Sequence, residues 1–128
     1  LRFQAGPPTA APGSGADASR TVVSVPTTQA ANPDTVAIGP VRVLRFDPAT
    51  KAWISPSLTT IAATADAITL TVDETWADAT AYQVVLPGTG DKALLDATGQ
   101  PLAGAVGEVV PPGAGRDAYL FATYHLAP

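Results

Sequence analysis

Apolar side chains recur at alternate positions along this chain. Ile68, Leu70 and Val72 are interleaved with Ala67, Thr69 and Thr71, and Tyr82, Val84 and Leu86 repeat the pattern. Successive side chains of a strand point to opposite faces, so each run predicts a half-buried strand with one apolar row turned to a core. Upstream, Thr21 to Val25 is a β-branched run stopped by Pro26, and Val41, Val43 and Leu44 build a strand reaching Phe46. Turn chemistry separates these runs: Asn32-Pro33-Asp34, then Gly39-Pro40, then Asp47-Pro48-Ala49-Thr50-Lys51, where Asp and Pro take the first two positions of a β-turn. That last turn predicts a hairpin whose return strand carries Trp53 and Ile54. The alanine-rich run 58–65 is too short for period to separate strand from helix, and its surroundings favour strand. The final strand, Ala118 to Leu126, sets Tyr119, Phe121 and Thr123 on one face and Leu120, Tyr124 and Leu126 on the other. Large groups on both faces predict a strand covered twice, by the core and by something else.

Between these runs, residues 76–104 read as the edge of a small β-sandwich. Trp76 stands six residues before Tyr82, a spacing that suits a tyrosine corner, in which a phenol at a strand start bonds back to the preceding loop. Gly88 and Gly90 mark a turn, and Asp96 with Gly99 marks a tight Asp-x-x-Gly turn. Trp53, Trp76, Tyr82, Asp96, Gly99 and Phe121 are the candidate structural residues. Composition agrees: eleven glycines and thirteen prolines in 128 residues suit short strands and turns rather than long helices. The expected fold is all-β, an antiparallel sandwich of one domain, large enough to bury a core without a metal or disulfide.

The first twenty residues have a different texture. Residues 5–19 are low in complexity, with no large apolar side chain and no period, a composition that does not fold alone. The organisation expected is an extended N-terminal arm over 1–20 and a sandwich over 21–128. Fifteen extended residues reach about 50 Å, enough to cross into another subunit. Leu1 and Phe3, alternating apolar residues at the arm's tip, have the pattern of a strand that adds to a sheet and plugs a groove. Leu1, Phe3, Pro7 and Pro8 are therefore the candidate assembly residues, and the expected partner is another copy of this chain; incidental contact is the plainer explanation of any order in the arm. The chain starts at Leu1 without a methionine, which predicts maturation by removal of a secretory signal and an extracellular or cell-surface location. The competing explanation is a protease-tag remnant over Leu1 to Gly6.

Charge and chemistry narrow the function classes. The formal net charge is −4 and the seven basic residues are scattered singly, the opposite of the clustered Lys and Arg that bind phosphate backbones. The run 52–65 is interrupted by Pro56 and by hydroxyl residues, so no membrane span is expected. Without cysteine there is no disulfide frame, thiolate nucleophile or thiolate metal site. His125, the only histidine, lies at the end of a strand, where a surface or interface role is favoured over a Ser-His-Asp triad. Asp73 and Glu74 are strand neighbours and point apart. Asp91 and Asp96 flank one turn, where capping is favoured over calcium, and Gly88-Thr89-Gly90 is too short to cradle a phosphate. No catalytic residue and no cofactor is expected.

Four segments together carry a family likeness: Ile68 to Val72, Ala79 to Gly88 with Tyr82 inside it, Leu95-Asp96-Ala97-Thr98-Gly99-Gln100-Pro101-Leu102-Ala103-Gly104, and Leu120 to Thr123. They resemble the bacterial Ig-like domain of surface-layer proteins and large secreted adhesins. In that family a Thr-x-Tyr strand leads to an Asp-x-x-Gly-Asn-x-Leu turn, and an aromatic-x-Thr strand closes the domain. Gln100 stands where Asn is usual, and Ala105 to Arg116 is a longer loop. The resemblance covers about the last half of the chain and implies a non-enzymatic module that spaces, assembles or displays. Three functions follow as expectations. The first is a secreted structural subunit that forms a filament or lattice by arm exchange. The second is an adhesive module that binds surface proteins or glycans through loops such as 105–116. The third is a viral capsid decoration protein, which a neighbouring capsid gene would favour and an upstream signal peptide would exclude.

Overall fold

The computed structural model describes residues 2–126. Eight strands form: β1 (Thr9–Pro12), β2 (Thr21–Pro26), β3 (Arg42–Asp47), β4 (Ala52–Ile54), β5 (Leu58–Ala63), β6 (Ala67–Val72), β7 (Thr80–Leu86) and β8 (Ala118–Tyr124). They make two antiparallel four-stranded sheets, β1-β2-β6-β5 and β4-β3-β7-β8. The fold is all-β, with helix among the described residues limited to two single 3₁₀ turns at Gly15–Asp17 and Pro33–Thr35. No helix among the described residues is long and apolar enough to cross a membrane.

Pleat parity builds the core. Val23 and Val25 on β2 and Ile68, Leu70 and Val72 on β6 are fully buried, and Val43, Tyr82, Val84, Leu86 and Leu120 meet them from the other sheet. Register is pinned locally as well. Asn32 caps the 3₁₀ turn by accepting from the Asp34 amide at 3.0 Å, and Asp47 accepts from the Ala49 amide and the Thr50 hydroxyl, both at 3.0 Å, to close the β3–β4 hairpin. The ambiguous run near residue 60 is strand β5, paired with β6 across a bulge between Leu58 and Thr60. Hydrogen bonding to β6 decides a question that the alanine-rich pattern leaves open.

Residues 2–20 depart from expectation. They do not stand off as an arm; the boundary expected at residue 20 falls inside the β1–β2 hairpin, where Pro12 pairs with Thr21. Phe3 and Ala5 are 0% exposed and belong to the core of their own chain. Residues 2–6 act as an unnamed strand bonded on both sides. On one side the Gly6 amide donates to the Pro26 carbonyl and the Thr28 amide to the Gln4 carbonyl; on the other, the Ala103 amide donates to Phe3, the Ala5 amide to Gly104 and the Val106 amide to Ala5, at 2.7–3.1 Å. The Arg116 amide in turn donates to Leu102. A ladder thus runs from the end of β2, through residues 2–6 and 102–106, to the entrance of β8, and ties the two sheets along one side. The physical reason is that backbone groups pair whatever the side chains are, so low complexity does not prevent order where both neighbouring edges are open.

Candidate functional site

Of the candidate assembly residues, Phe3 and Pro8 are buried and Pro7 is exposed, while Leu1 lies outside the described residues. The segment also organises the long loop 105–116. Arg2 donates its guanidinium to the carbonyls of Val110, Pro111 and Ala114, and the Gln4 amide donates to Ala103 and Glu108 at 3.0 and 2.9 Å. Glu108 accepts from the Ala105 amide at 2.9 Å and from Arg116 at 3.0 Å, and these two donors hold its carboxyl below the ordinary range. A loop read from sequence as a free adhesive surface is thereby pinned at its base, though Val106 and Val109 still face solvent.

Asp96 is a capping residue. Its carboxylate accepts from the Thr98 amide and hydroxyl and from the Gln100 amide and side chain, at 2.7–3.0 Å. Burial pushes its pKa up, and the four donors outweigh that and hold it lowered. Gly99 closes the turn at φ +88°, a left-handed conformation that favours glycine. Asp91 is exposed and takes no part in the turn.

Asp117, which the sequence reading passed over, caps the other end of this region. It accepts from the Gly88 amide at 2.8 Å, the dominant cause of its lowered pKa, and from the amide and hydroxyl of Thr89. Gly88 is glycine for closeness rather than for turning: a Cβ there would lie 2.0 Å from the Arg116 carbonyl oxygen and 2.4 Å from that of Leu102.

The aromatic residues divide into two groups. Trp76 and Tyr82 are buried, with ring centroids 4.9 Å apart, and Tyr124 meets Trp76 edge-on at 6.0 Å. Burial pushes the Tyr82 phenol up to about 12. The Trp76 ring packs on Tyr82 near the entrance to β7, and the rest of the core encloses it. The second group lies on the outer face of β4-β3-β7-β8, where Trp53 is 44%, Tyr119 55% and Phe121 62% exposed. Trp53 meets Phe46 at 5.4 Å and Phe121 at 6.0 Å, both edge-on. Since β4 and β8 are three strand spacings apart, roughly 14 Å, the rings lean over the strands between them and form a ridge across the sheet.

Where the ridge ends at Phe46, a cleft of about 460 Å³ opens between β3 and residues 74–81. Its floor holds a bidentate ion pair: Arg45 Nε and Nη2 donate to Glu74 Oε1 and Oε2 at 2.5 and 3.2 Å, and the Trp76 indole donates to Oε1 at 2.7 Å. Glu74, as the first cause, raises the Arg45 pKa further. Asp73, its neighbour, turns instead to Arg20 at 3.0 Å; the two carboxylates do part, but in the bend just past the end of β6 rather than as the strand neighbours expected from sequence. Ala79 lines the cleft at φ +65°, a conformation few residues other than glycine adopt, held by its amide donating to the Tyr124 carbonyl at 2.7 Å. His125 is exposed, with Nδ1 3.8 Å from Oδ1 of Asp78, which lines the cleft. Among the described residues, no group of three or more His, Cys, Asp or Glu converges as metal ligands would. No protein-family model, curated protein or solved structure matches the chain.

Proposed function

We propose that this chain is a non-catalytic structural module of the cell exterior that assembles with copies of itself by exchanging its N-terminal segment. The observation that carries the reading is the two-sided embedding of residues 2–6, with Phe3 as a fully buried plug, on a segment joined to the rest only through the turn at residues 13–20. Every contact of residues 2–12 with the sandwich is the same whether the segment comes from its own chain or from a neighbour, so exchange costs no interface. What decides between the two is the turn. It is held by the Gly13 amide donating to Arg20 at 2.9 Å and by Arg20 bridging Asp17 and Asp73.

An Ig-like identity fits the same reading. Taking β1 to β8 as A, B, C, C′, D, E, F and G gives a sheet ABED against C′CFG, with Tyr82 near the start of the strand that would be F. Ala11 and Val22 are directly paired between β1 and β2, and the chain has no other thiol, so Ala11→Cys with Val22→Cys tests exchange cleanly. Oxidation of the concentrated protein should give covalent dimers and ladders on non-reducing gels. Gly13→Ala should increase them, because a Cβ there would lie 2.2 Å from the Asp17 carbonyl oxygen and open the turn. Intramolecular bridges alone, at every concentration and with Gly13→Ala, would sink the proposal.

A second reading, an adhesive module, is favoured by the exposed ring ridge. Solvent-facing rings grouped in this way mark contact surfaces.

A further inference from the structure

The ridge and the cleft beside it form one continuous surface through Phe46, and the chemistry of that surface is specific. Rings offer apolar faces to C–H groups. At the cleft floor, the Arg45–Glu74 pair offers planar donors and acceptors whose charges cancel, leaving no demand for an ionic ligand. The hydroxyls of Thr75 and Thr80 donate to the Ser19 and Ala77 carbonyls at 2.9 and 2.7 Å, so their lone pairs stay free to accept. A cleft of about 460 Å³ lies within the roughly 300–1,000 Å³ range of small-ligand sites. The strained Ala79 on its wall is the kind of outlier that clusters at ligand clamps.

A flat apolar partner does not fit this arrangement. The rings stand at 64° and 68° to one another rather than in a layer, and Gln83, Thr123 and Arg42 share the outward face. An anionic polymer is disfavoured by the net charge of −4. A pyranose chain has the complementary chemistry: apolar ring faces for Trp53 and Phe46, and paired neighbouring hydroxyls for the planar groups of Arg45 and Glu74. We propose that this surface is a binding site for a neutral polysaccharide, with one sugar stacked on Trp53 and the next directed into the cleft. The site is built from β3, β4 and residues 74–81. Of its side chains only the Thr75 hydroxyl reaches the turn at residues 13–20, through Ser19, and the rings and the Arg45–Glu74 pair do not, so the two proposals fail separately.

The probes are the neutral hexasaccharides of β-1,4-glucose, β-1,3-glucose and β-1,4-N-acetylglucosamine at millimolar concentration, followed by calorimetry and by amide shifts in ¹⁵N-labelled protein. At least one should bind and shift the amides of Thr75, Ala79 and Thr80. Trp53→Ala should weaken it about tenfold or more, as truncation of an anchoring ring does, with Trp53→Tyr restoring most of the affinity and both variants keeping a cooperative thermal transition. Three outcomes overturn the proposal: no binding by any probe, binding that shifts only residues elsewhere or survives Trp53→Ala, or sedimentation showing that the ridge instead pairs two copies and that Trp53→Ala abolishes the pairing.

Discussion

The N-terminal segment and the outer face of β4-β3-β7-β8 reverse the usual relation between hydrophobic content and burial. Residues 2–12 carry one large apolar side chain, yet Phe3 and Ala5 lie at the centre of the core. The outer face carries Phe46, Trp53, Tyr119 and Phe121, and three of these rings are about half exposed or more. Two causes explain the difference. Backbone pairing on both sides draws the N-terminal segment in, and with residues 3 and 5 on one side of the pleat its only ring has to point inward. The outer rings occupy the opposite parity on their strands, where no third layer covers them. Pairing partners and parity, more than side-chain size, decide what this sandwich hides.

The comparison breaks most readily at Phe3. Phe3→Ala removes a fully buried ring and should cost about 3–5 kcal/mol, the range for Phe truncation in cores, read as a drop in the urea midpoint with unchanged slope. Phe3→Leu should cost under about 1.5 kcal/mol. By the same logic, removing residues 1–19 strips Phe3 and Ala5 from the core, so a shortened chain should lose its cooperative transition rather than stay folded. A loss under about 1 kcal/mol for Phe3→Ala would mean that the segment merely rests on the surface.

How much of this was legible in the sequence follows from the range of the interactions involved. Strands that alternate cleanly, such as Ile68 to Val72, and turns closed by their own residues, such as Asp47 with Thr50 or Asp96 with Gln100, are written locally and were readable. The fate of Phe3 was not, because Ala103, which bonds Phe3, and Thr28, which bonds its neighbours Arg2 and Gln4, lie far along the chain. Gly88 reads as a turn residue, whereas its real constraint is the backbone of Leu102 and Arg116 pressed against it. Asp117 carried no signal at all, since a cap that reaches across 29 residues has no spacing rule. Of the ridge and cleft, the alternation placed Tyr119 and Phe121 on one face, but the contact of Arg45 on β3 with Glu74 in the bend after β6 needed the fold.

Acid should separate the two regions next. Asp96, Glu108 and Asp117 all have lowered pKa values in the folded chain, and all brace residues 88–117, the bed on which the N-terminal segment lies. Folded values below the unfolded ones mean that the unfolded chain takes up protons first as pH falls. Their stabilisation is therefore complete above the ordinary carboxylate values of about 3.9–4.3 and is lost progressively below them. The urea midpoint should hold from pH 7 to about 5 and fall from about 4 downward. Asp117→Asn should flatten that slope, while ridge substitutions should leave it unchanged. A midpoint constant down to pH 3 would contradict the assignment.

The smallest effect belongs to the ridge, and it sharpens the comparison because a ring is again removed. Phe121 is 62% exposed, so Phe121→Ser gives up little burial; what it loses is the edge-on contact with Trp53 at 6.0 Å. Such pairs contribute about 0.5–1.5 kcal/mol beyond their buried area, and solvent on one side puts this one at the low end. Phe121→Ser should therefore cost about 0.5–1 kcal/mol, several times less than Phe3→Ala. A double-mutant cycle with Trp53→Ala isolates the contact, since Trp53 also meets Phe46 and only the Phe121 share should appear as coupling. Coupling near about 0.5 kcal/mol would establish the ridge as a set of rings held by one another. Coupling indistinguishable from zero would mean that each ring stands alone on the sheet, a surface much less prepared to meet a ligand.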